Sequence, residues 1–340
     1  MPTQTVLFVP LLIMMGGLFH IIAGLTRPDL FFAVTVAPEF RRTSDARRIL
    51  LRYRAMVWST TLVASGLQLV AGMAVAALLL QAMGFLSALV GAHRAARAYA
   101  ATPSSILEVD LAMPQERLPG GPIVALLPVL FLGALGLWAA LHWDRLPRQF
   151  PMHWGMHGAD HRVTTTPAAV FDSLAAYAFM CLLLVGLAWG LLYWSRRIST
   201  TGAAAVAERH FRRRIVQLLI VSAYFLACPA WFGLFHPAPA AINVWGLALA
   251  SVVLAFTMNL MRGGQGGSRA AVAAGAAPVG DRTPDACWKW GLLYVNPADP
   301  SILVEKRFGI GYTLNFGNRW TWVVLALLLL APAAGFILFR

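Results

Sequence analysis

The sequence predicts an all-α polytopic membrane protein of about eight transmembrane helices, with a small β-hairpin or ribbon just before the last one. Three observations lead there. Mean hydropathy is +0.67, and of 340 residues 59% are hydrophobic and only 12% charged. Several apolar windows exceed the roughly 18 residues that mark a membrane-spanning helix. Within this background, residues 285–319 switch to mixed composition and a period of two, the repeat of a strand rather than a helix.

The spans are expected at 5–25, 55–75, 77–98, 123–142, 171–194, 215–235, 241–261 and 320–339. The first has no basic segment before it and no small-residue cleavage site after it, so it is read as retained rather than removed. Residues 55–92 carry no charge. As one helix they would reach roughly 57 Å, nearly twice the ~30 Å hydrocarbon core. Two spans with a tight turn fit better, with Gly72 and the Gln81–Gly84 region as candidate turns. Ser44 and Asp45 open a capped amphipathic helix leading into the second span. Pro229 is expected to kink the sixth. The chain thus divides into 1–142 with four spans, an external loop 143–170, 171–261 with three spans, a Gly/Ala-rich tether 262–284 without periodicity and expected to be disordered, the ribbon 285–319, and a last span from 320 to 340.

Charge orients these segments. Of 27 Lys and Arg, 23 fall in alternate connections, and by the positive-inside tendency that side faces the cytoplasm. Both termini and the 143–170 loop are then external, and the ribbon is cytoplasmic. The net charge of +13 is accounted for by a cytoplasmic face drawn to anionic lipid. No nucleic-acid-binding module accompanies it. The cysteines, Cys181, Cys228 and Cys287, are far apart and form neither a disulfide framework nor a zinc pattern.

In the ribbon, positions 302 to 316 alternate. Ile302, Val304, Lys306, Phe308, Ile310, Tyr312, Leu314 and Phe316 share one face, and Leu303, Glu305, Arg307, Gly309, Gly311, Thr313 and Asn315 the other. A strand with an apolar even face is expected. Residues 290–295 form a second β-prone run, and Asn296-Pro297-Ala298-Asp299-Pro300 between them is a turn signal. Trp288, Trp290, Trp320 and Trp322 suit a membrane interface. Lys306-Arg307 reads as a basic membrane-facing edge able to hold a phosphate or lipid head group.

The external loop holds Leu146-Pro147, then Pro151-x-His153-Trp154, then Gly158 and Asp160. This resembles the domain of unknown function sixteen-forty-eight, found ahead of the SdpI-type toxin-immunity domain in bacterial membrane proteins. Thr166-Pro167 stands where that family favours a lysine. The ribbon resembles a second uncharacterised domain, fifty-eight-oh-eight, through Gly291, Tyr294, the Asn296–Pro300 turn, the Val304–Gly309 run and Asn315. The two resemblances imply a protein of the bacterial inner membrane. They make Pro151, His153, Trp154, Gly158 and Asp160 the candidate ligand-binding residues. Asn296, Pro297, Asp299, Pro300, Lys306, Arg307, Gly309 and Asn315 become the candidate residues of the ribbon.

Other chemistries find little support. His153, His157 and His161 are spaced by four and on a helix would line one face, as zinc or copper ligands do. Pro151, Gly155 and Gly158 argue against a helix there, so a structural loop is expected and no metal or cofactor is assigned. His20, Gln68, Gln217, Asn243 and Asn259 are polar residues within spans, read as interhelical hydrogen-bonding groups. No Asp, Glu, Lys or Arg lies mid-span, which argues against an ion-coupled carrier. No HExxH, GxSxG or paired carboxylates indicate an enzyme. The expectation is a protein that senses or resists an external agent such as a peptide toxin. A small-solute transporter or facilitator is the alternative, and a structural scaffold the third. The implied partners are membrane lipid, an external peptide or small molecule and a cytoplasmic regulator, without nucleic acid.

Overall fold

A computed structural model of the chain describes residues 3–102, 116–155, 158–195, 202–235, 239–276, 280–281 and 283–326. It is dominated by seven long helices: α1 (Thr3–Ile22), α2 (Ser44–Ala71), α3 (Ala74–Ala96), α4 (Gly121–Leu141), α5 (Pro167–Tyr193), α6 (Gly202–Phe235) and α7 (Pro239–Gly263). A short α8 (Ser268–Ala273) follows, and 319–326 is helical at the start of the expected last span. Four antiparallel two-stranded hairpins lie between them: β1–β2 (Leu30–Phe31, Val34–Thr35), β3–β4 (Gln149–Gly155, Gly158–Thr164), β5–β6 (Trp288–Lys289, Leu293–Tyr294) and β7–β8 (Leu303–Glu305, Tyr312–Leu314).

Among the described residues, five helices are long and apolar enough to cross a membrane, namely α3 to α7. That agrees with a multi-pass membrane protein. The expected eight are not confirmed among the described residues. In α1 the apolar stretch is the shorter Phe8–Ile22. In α2 the first turns carry Asp45, Arg47, Arg48, Arg52 and Arg54, so its uncharged part runs only from 55 to 71. The last expected span lies mostly outside the described residues.

Local chemistry accounts for the helix ends. Thr43 caps α2 by accepting from Ala46 N at 3.2 Å, and Thr166 caps α5 by accepting from Ala169 N. The α2–α3 turn falls at Gly72, whose φ of +64° is left-handed and cheap only for glycine. The other candidate turn, Gln81–Gly84, lies inside α3. There Gln81 donates to Leu12 O of α1 at 2.8 Å and to Thr61 Oγ1 of α2 at 3.1 Å. His20 accepts from Trp58 Nε1 at 3.1 Å. These three bonds tie neighbouring helices together, the use of polar groups expected between apolar helices.

The chain forms two compact units. The first takes residues 1–111, 196–209 and 260–318. Its core lies under the α1–α2 connection, where Phe31, Phe32, Phe40, Tyr53, Phe85 and Phe308 pack together. The second takes 112–195, 210–259 and 319–340, and within it α4 packs against α5.

The 302–316 segment is not one strand. It folds back on itself, with Val304 opposite Thr313. Gly309 and Gly311, at φ +90° and +106°, supply conformations that other residues rarely adopt. Nor does the apolar face alternate as expected, since Glu305, Arg307 and Asn315 are buried along with Val304 and Phe308, while Lys306 is exposed. The tether also departs from expectation. Gln265–Gly267 is a 3-10 turn leading into α8, and Gln265 is fully buried.

Candidate functional site

Two places concentrate chemistry, one in each unit. In the first, the charges of the α1–α2 connection and of the C-terminal hairpins are buried against one another. Arg307 is fully enclosed, and all three of its nitrogens donate. Nε reaches Asp281 Oδ2 at 2.6 Å, Nη2 reaches Asp281 Oδ1 at 2.9 Å, and Nη1 reaches Asp285 Oδ1 at 2.5 Å and Ala33 O at 3.0 Å. Nη2 also donates to Thr283 O. The guanidinium lies 5.3 Å from the Trp288 ring centre, within cation–π range. Asp285 in turn accepts from Thr35 Oγ1 at 2.8 Å.

Beside it, Arg27 donates to Glu305 Oε2 at 2.6 Å, both side chains being almost completely buried. Gln265 adjoins this pair, its Nε2 donating to Glu305 Oε2 at 3.4 Å. Its Nε2 donates to Gly311 O at 2.9 Å, its Oε1 accepts from Gly311 N at 2.8 Å, and its backbone N donates to Leu25 O. Glu208, from the first turns of α6, is also buried and adds to the field that raises the Arg27 pKa. That rise prevails although burial, the largest influence, acts the other way. A Cβ on Gly266 would strike both Arg27 and Glu305, which explains why glycine stands there.

This junction explains a strained turn. Phe32 and Ala33 have φ of +45° and +66°, a two-residue hairpin geometry usually left to Asn and Gly. The turn is held by both carbonyls. Phe32 O lies 2.8 Å from His93 Nδ1, Ala33 O accepts from Arg307, and the Phe32 ring stacks on Phe308 at 5.9 Å.

Two carboxyls respond oppositely to this setting. Burial would raise Asp281, but the charge and hydrogen bonds of Arg307 outweigh it and hold it below the usual carboxylate range. For Asp29 burial prevails over Arg27 and Arg307, and its carboxyl is raised. Arg41, pressed into the same loop, is lowered to about 10 mainly by burial.

The ribbon residues now have places. Asn315 is fully buried and staples the turn. Its Oδ1 accepts from Asn296 N and Gly317 N, and its Nδ2 donates to Asn296 O, Asp299 O and Ser301 O. The expected turn at 296–300 is present, with Asn296 Oδ1 and Asp299 Oδ1 accepting from the backbone N–H two residues on. Pro297 and Pro300 are backbone members of it; Pro300 O accepts from Asn318 Nδ2. Two expectations fail. Arg307 is no membrane-facing cation, because Asp281 and Asp285 neutralise it inside the unit. Trp288 is not interfacial but buried, donating to Thr283 Oγ1 at 2.9 Å, whereas Trp290, Trp320 and Trp322 are exposed.

The sequence reading missed Arg27, Gln265, Asp281 and Thr283 as partners. The alternation gave no signal for this, since Glu305 and Arg307 keep to its polar face; the one local hint was Arg27-Pro28-Asp29 close behind an apolar span.

In the second unit, Gln149–Gly155 and Gly158–Thr164 pair as the β3–β4 hairpin where a structural loop was expected. His153 faces His161 in register, Trp154 faces Ala159 and Gly155 faces Gly158, with bulges around His153. The histidines therefore do not line a helix face. His157 lies outside the described residues. Asp160 lies on β4 and Pro151 on β3, opposite Arg162. At the base Gln149 pairs with Thr164, and Thr165 donates through its backbone N to Arg148 O and through its hydroxyl to Pro147 O. Phe150 is buried, and a Cβ on Gly233 of α6 would come within 2.8 Å of its ring. This glycine is thus the seat of the hairpin. Aromatic rings flank the unit's helix ends: Trp138 stacks on His142 and meets Phe235 at a tilt, and Trp143 stacks on Phe171.

Among known proteins, a family of unknown function (DUF5808) matches residues 297–322. These residues hold most of the Asn315-stapled turn, β7–β8 and the start of the following helix. Neither the curated proteins nor the solved structures yield a match.

Proposed function

We propose that this is a bacterial inner-membrane protein that senses or resists an external agent such as a peptide toxin. In this reading the β3–β4 hairpin faces outward and the first unit faces the cytoplasm. One observation carries it: the hairpin is a seated element, not a slack connection. Phe150 rests on Gly233 of α6, and the first turns of that same helix carry Glu208 beside Arg27. A contact at the hairpin and the buried charge junction thus have one helix in common, and a buried ion-pair set is a suitable two-position element. The resemblance of 146–160 to the domain found ahead of SdpI-type immunity domains points the same way.

Parity supports the sidedness. The α1–α2 connection, the end of α3, residues 202–209 and the C-terminal hairpins all belong to one compact unit. An even number of crossings must separate them. With α3 crossing, α2 must cross as well, and α4–α5 and α6–α7 add two pairs. Reporter fusions after Thr43 and Gly266 should therefore report cytoplasm and one after Thr165 the outside. A cytoplasmic signal at Thr165 refutes this arrangement.

Function is tested by challenging cells that lack the gene, or carry variants, with a panel of secreted peptide toxins. At least one challenge should lower survival of the deletion strain. His153→Ala and Trp154→Ala should then abolish protection while membrane abundance and thermal stability stay near wild type. Gly233→Leu should damage both, because it displaces Phe150 and costs about 1–3 kcal/mol as overpacking. Wild-type survival of the first two variants, or loss of abundance as severe as in Gly233→Leu, would make the hairpin a plug between α4 and α5.

A further inference from the structure

We propose that the groove between the first half of α4 and the second half of α5 binds one acyl chain of an anionic phospholipid. The groove has a volume of about 300 Å³ and is walled by Leu118, Pro122 and Leu126 on one side and Leu182, Gly186 and Trp189 on the other. Its wall is apolar, and α4 and α5 are both long and apolar enough to lie in a bilayer. What reaches this surface there is hydrocarbon.

Three further observations identify the kind of lipid. First, one end of the groove is marked by an aromatic cluster. Trp189 stands 4.8 Å from Tyr193 and 4.9 Å, edge-on, from Trp194, and all three are exposed. Such rings sit at the level of the head groups, so the groove runs inward from the interface, as an acyl chain does. Second, that end is basic. Glu116 and Arg212 pair at 2.6 Å and so bring the segment before α4 beside α6. Their sequence neighbours Arg117, Arg213 and Arg214 are exposed. Guanidinium groups at the mouth of an interhelical groove suit an anionic head group. Third, Gly186 forms part of the wall, and a Cβ there would meet nothing within 4 Å. Neither packing nor backbone geometry calls for glycine at this point of α5, and its missing side chain leaves the groove open.

This inference does not depend on the sensing role. It needs only that α4 and α5 lie in the membrane.

The test is native mass spectrometry of the purified full-length chain, mixed with phosphatidylglycerol or with phosphatidylcholine of the same acyl chains. The wild type should retain phosphatidylglycerol preferentially. Gly186→Leu fills the groove and should weaken retention of both lipids by about tenfold, the effect of two methylenes losing contact. Leu182→Phe serves as a second obstruction if Gly186→Leu folds poorly, judged by thermal stability. The triple change Arg117→Gln, Arg213→Gln, Arg214→Gln should remove the preference for phosphatidylglycerol and leave phosphatidylcholine retention unchanged. Unaltered retention in both folded obstruction variants would overturn the site. Equal retention of the two lipids by the wild type would overturn the anionic assignment. A dimer that disappears in Gly186→Leu would make the groove an interface between copies of the chain and overturn the proposal.

Discussion

Arg307→Ala should remove about 3–5 kcal/mol of stability from the first unit and sharply lower the amount of folded protein in the membrane. The side chain is wholly buried, and its removal takes the counter-charge from the Asp281 carboxylate, which keeps only the N–H and hydroxyl of Thr283 as donors, and takes the guanidinium donor from Thr283 O and Ala33 O. Breaking one side of a buried pair is costly because the remaining charge has neither water nor a partner. The strained Phe32–Ala33 turn loses one of its two carbonyl anchors at the same time. The neighbouring Lys306→Ala should change stability by less than about 0.5 kcal/mol, since Lys306 is exposed.

The pH dependence separates this mechanism from simple loss of packing. In the wild type Asp281 is held below its ordinary value. Its contribution is therefore complete above the unfolded pKa of about 3.9 and is lost as pH falls through the lower folded value. Without Arg307, burial prevails and the Asp281 pKa should rise. Mild acid should then protonate the buried carboxyl and stabilise Arg307→Ala by more than it stabilises the wild type, where Asp281 stays ionised and Asp29, raised by burial, is the carboxyl that responds. Thermal unfolding of both proteins in detergent at neutral and mildly acidic pH checks this. A variant as stable as wild type at neutral pH, or one that acid fails to help, would overturn the charge argument.

Asn315→Asp should be nearly as damaging as Arg307→Ala, although it changes one atom. The Nδ2 group donates to three carbonyls, those of Asn296, Asp299 and Ser301. An ionised carboxylate would bring negative charge among three acceptors inside a fully buried position, and each acceptor left unsatisfied there costs about 1–3 kcal/mol. Asn315→Ala should cost about 3 kcal/mol, since it loses the donors without adding the repulsion. In both variants limited proteolysis should find new cleavage between 296 and 318, with the first-unit melting transition lowered. Resistance equal to wild type in Asn315→Asp would show that the turn holds without this staple.

The placement of the helices was legible in the sequence because apolar length is a local property. The expected spans from 123 to 261 lie within helices to within one residue, the expected 55–75 span overran the end of α2 at Ala71, and the α2–α3 turn fell at Gly72, one of the two proposed sites. Which glycine was used depended on tertiary contact: Gly84 is needed inside α3 for close approach to Thr60, and Gln81 is held by α1 and α2. The 296–300 turn was legible for the same local reason, since Asx side chains bond backbone only two residues away.

The interior of the C-terminal hairpins was not legible. Period-two reasoning assigns apolar residues to the core and charges to water, and it holds only where no partner awaits the charge. Here Arg27 and Glu305 meet across 278 residues of sequence, and Asp281 lies 26 residues from Arg307 in a stretch whose composition reads as linker. No local pattern carries those pairings. The sequence by itself determined where the chain is apolar enough for a bilayer and where it turns. Only the tertiary structure decided which charges are buried, because burying a charge depends on a counter-charge that folding brings from elsewhere in the chain.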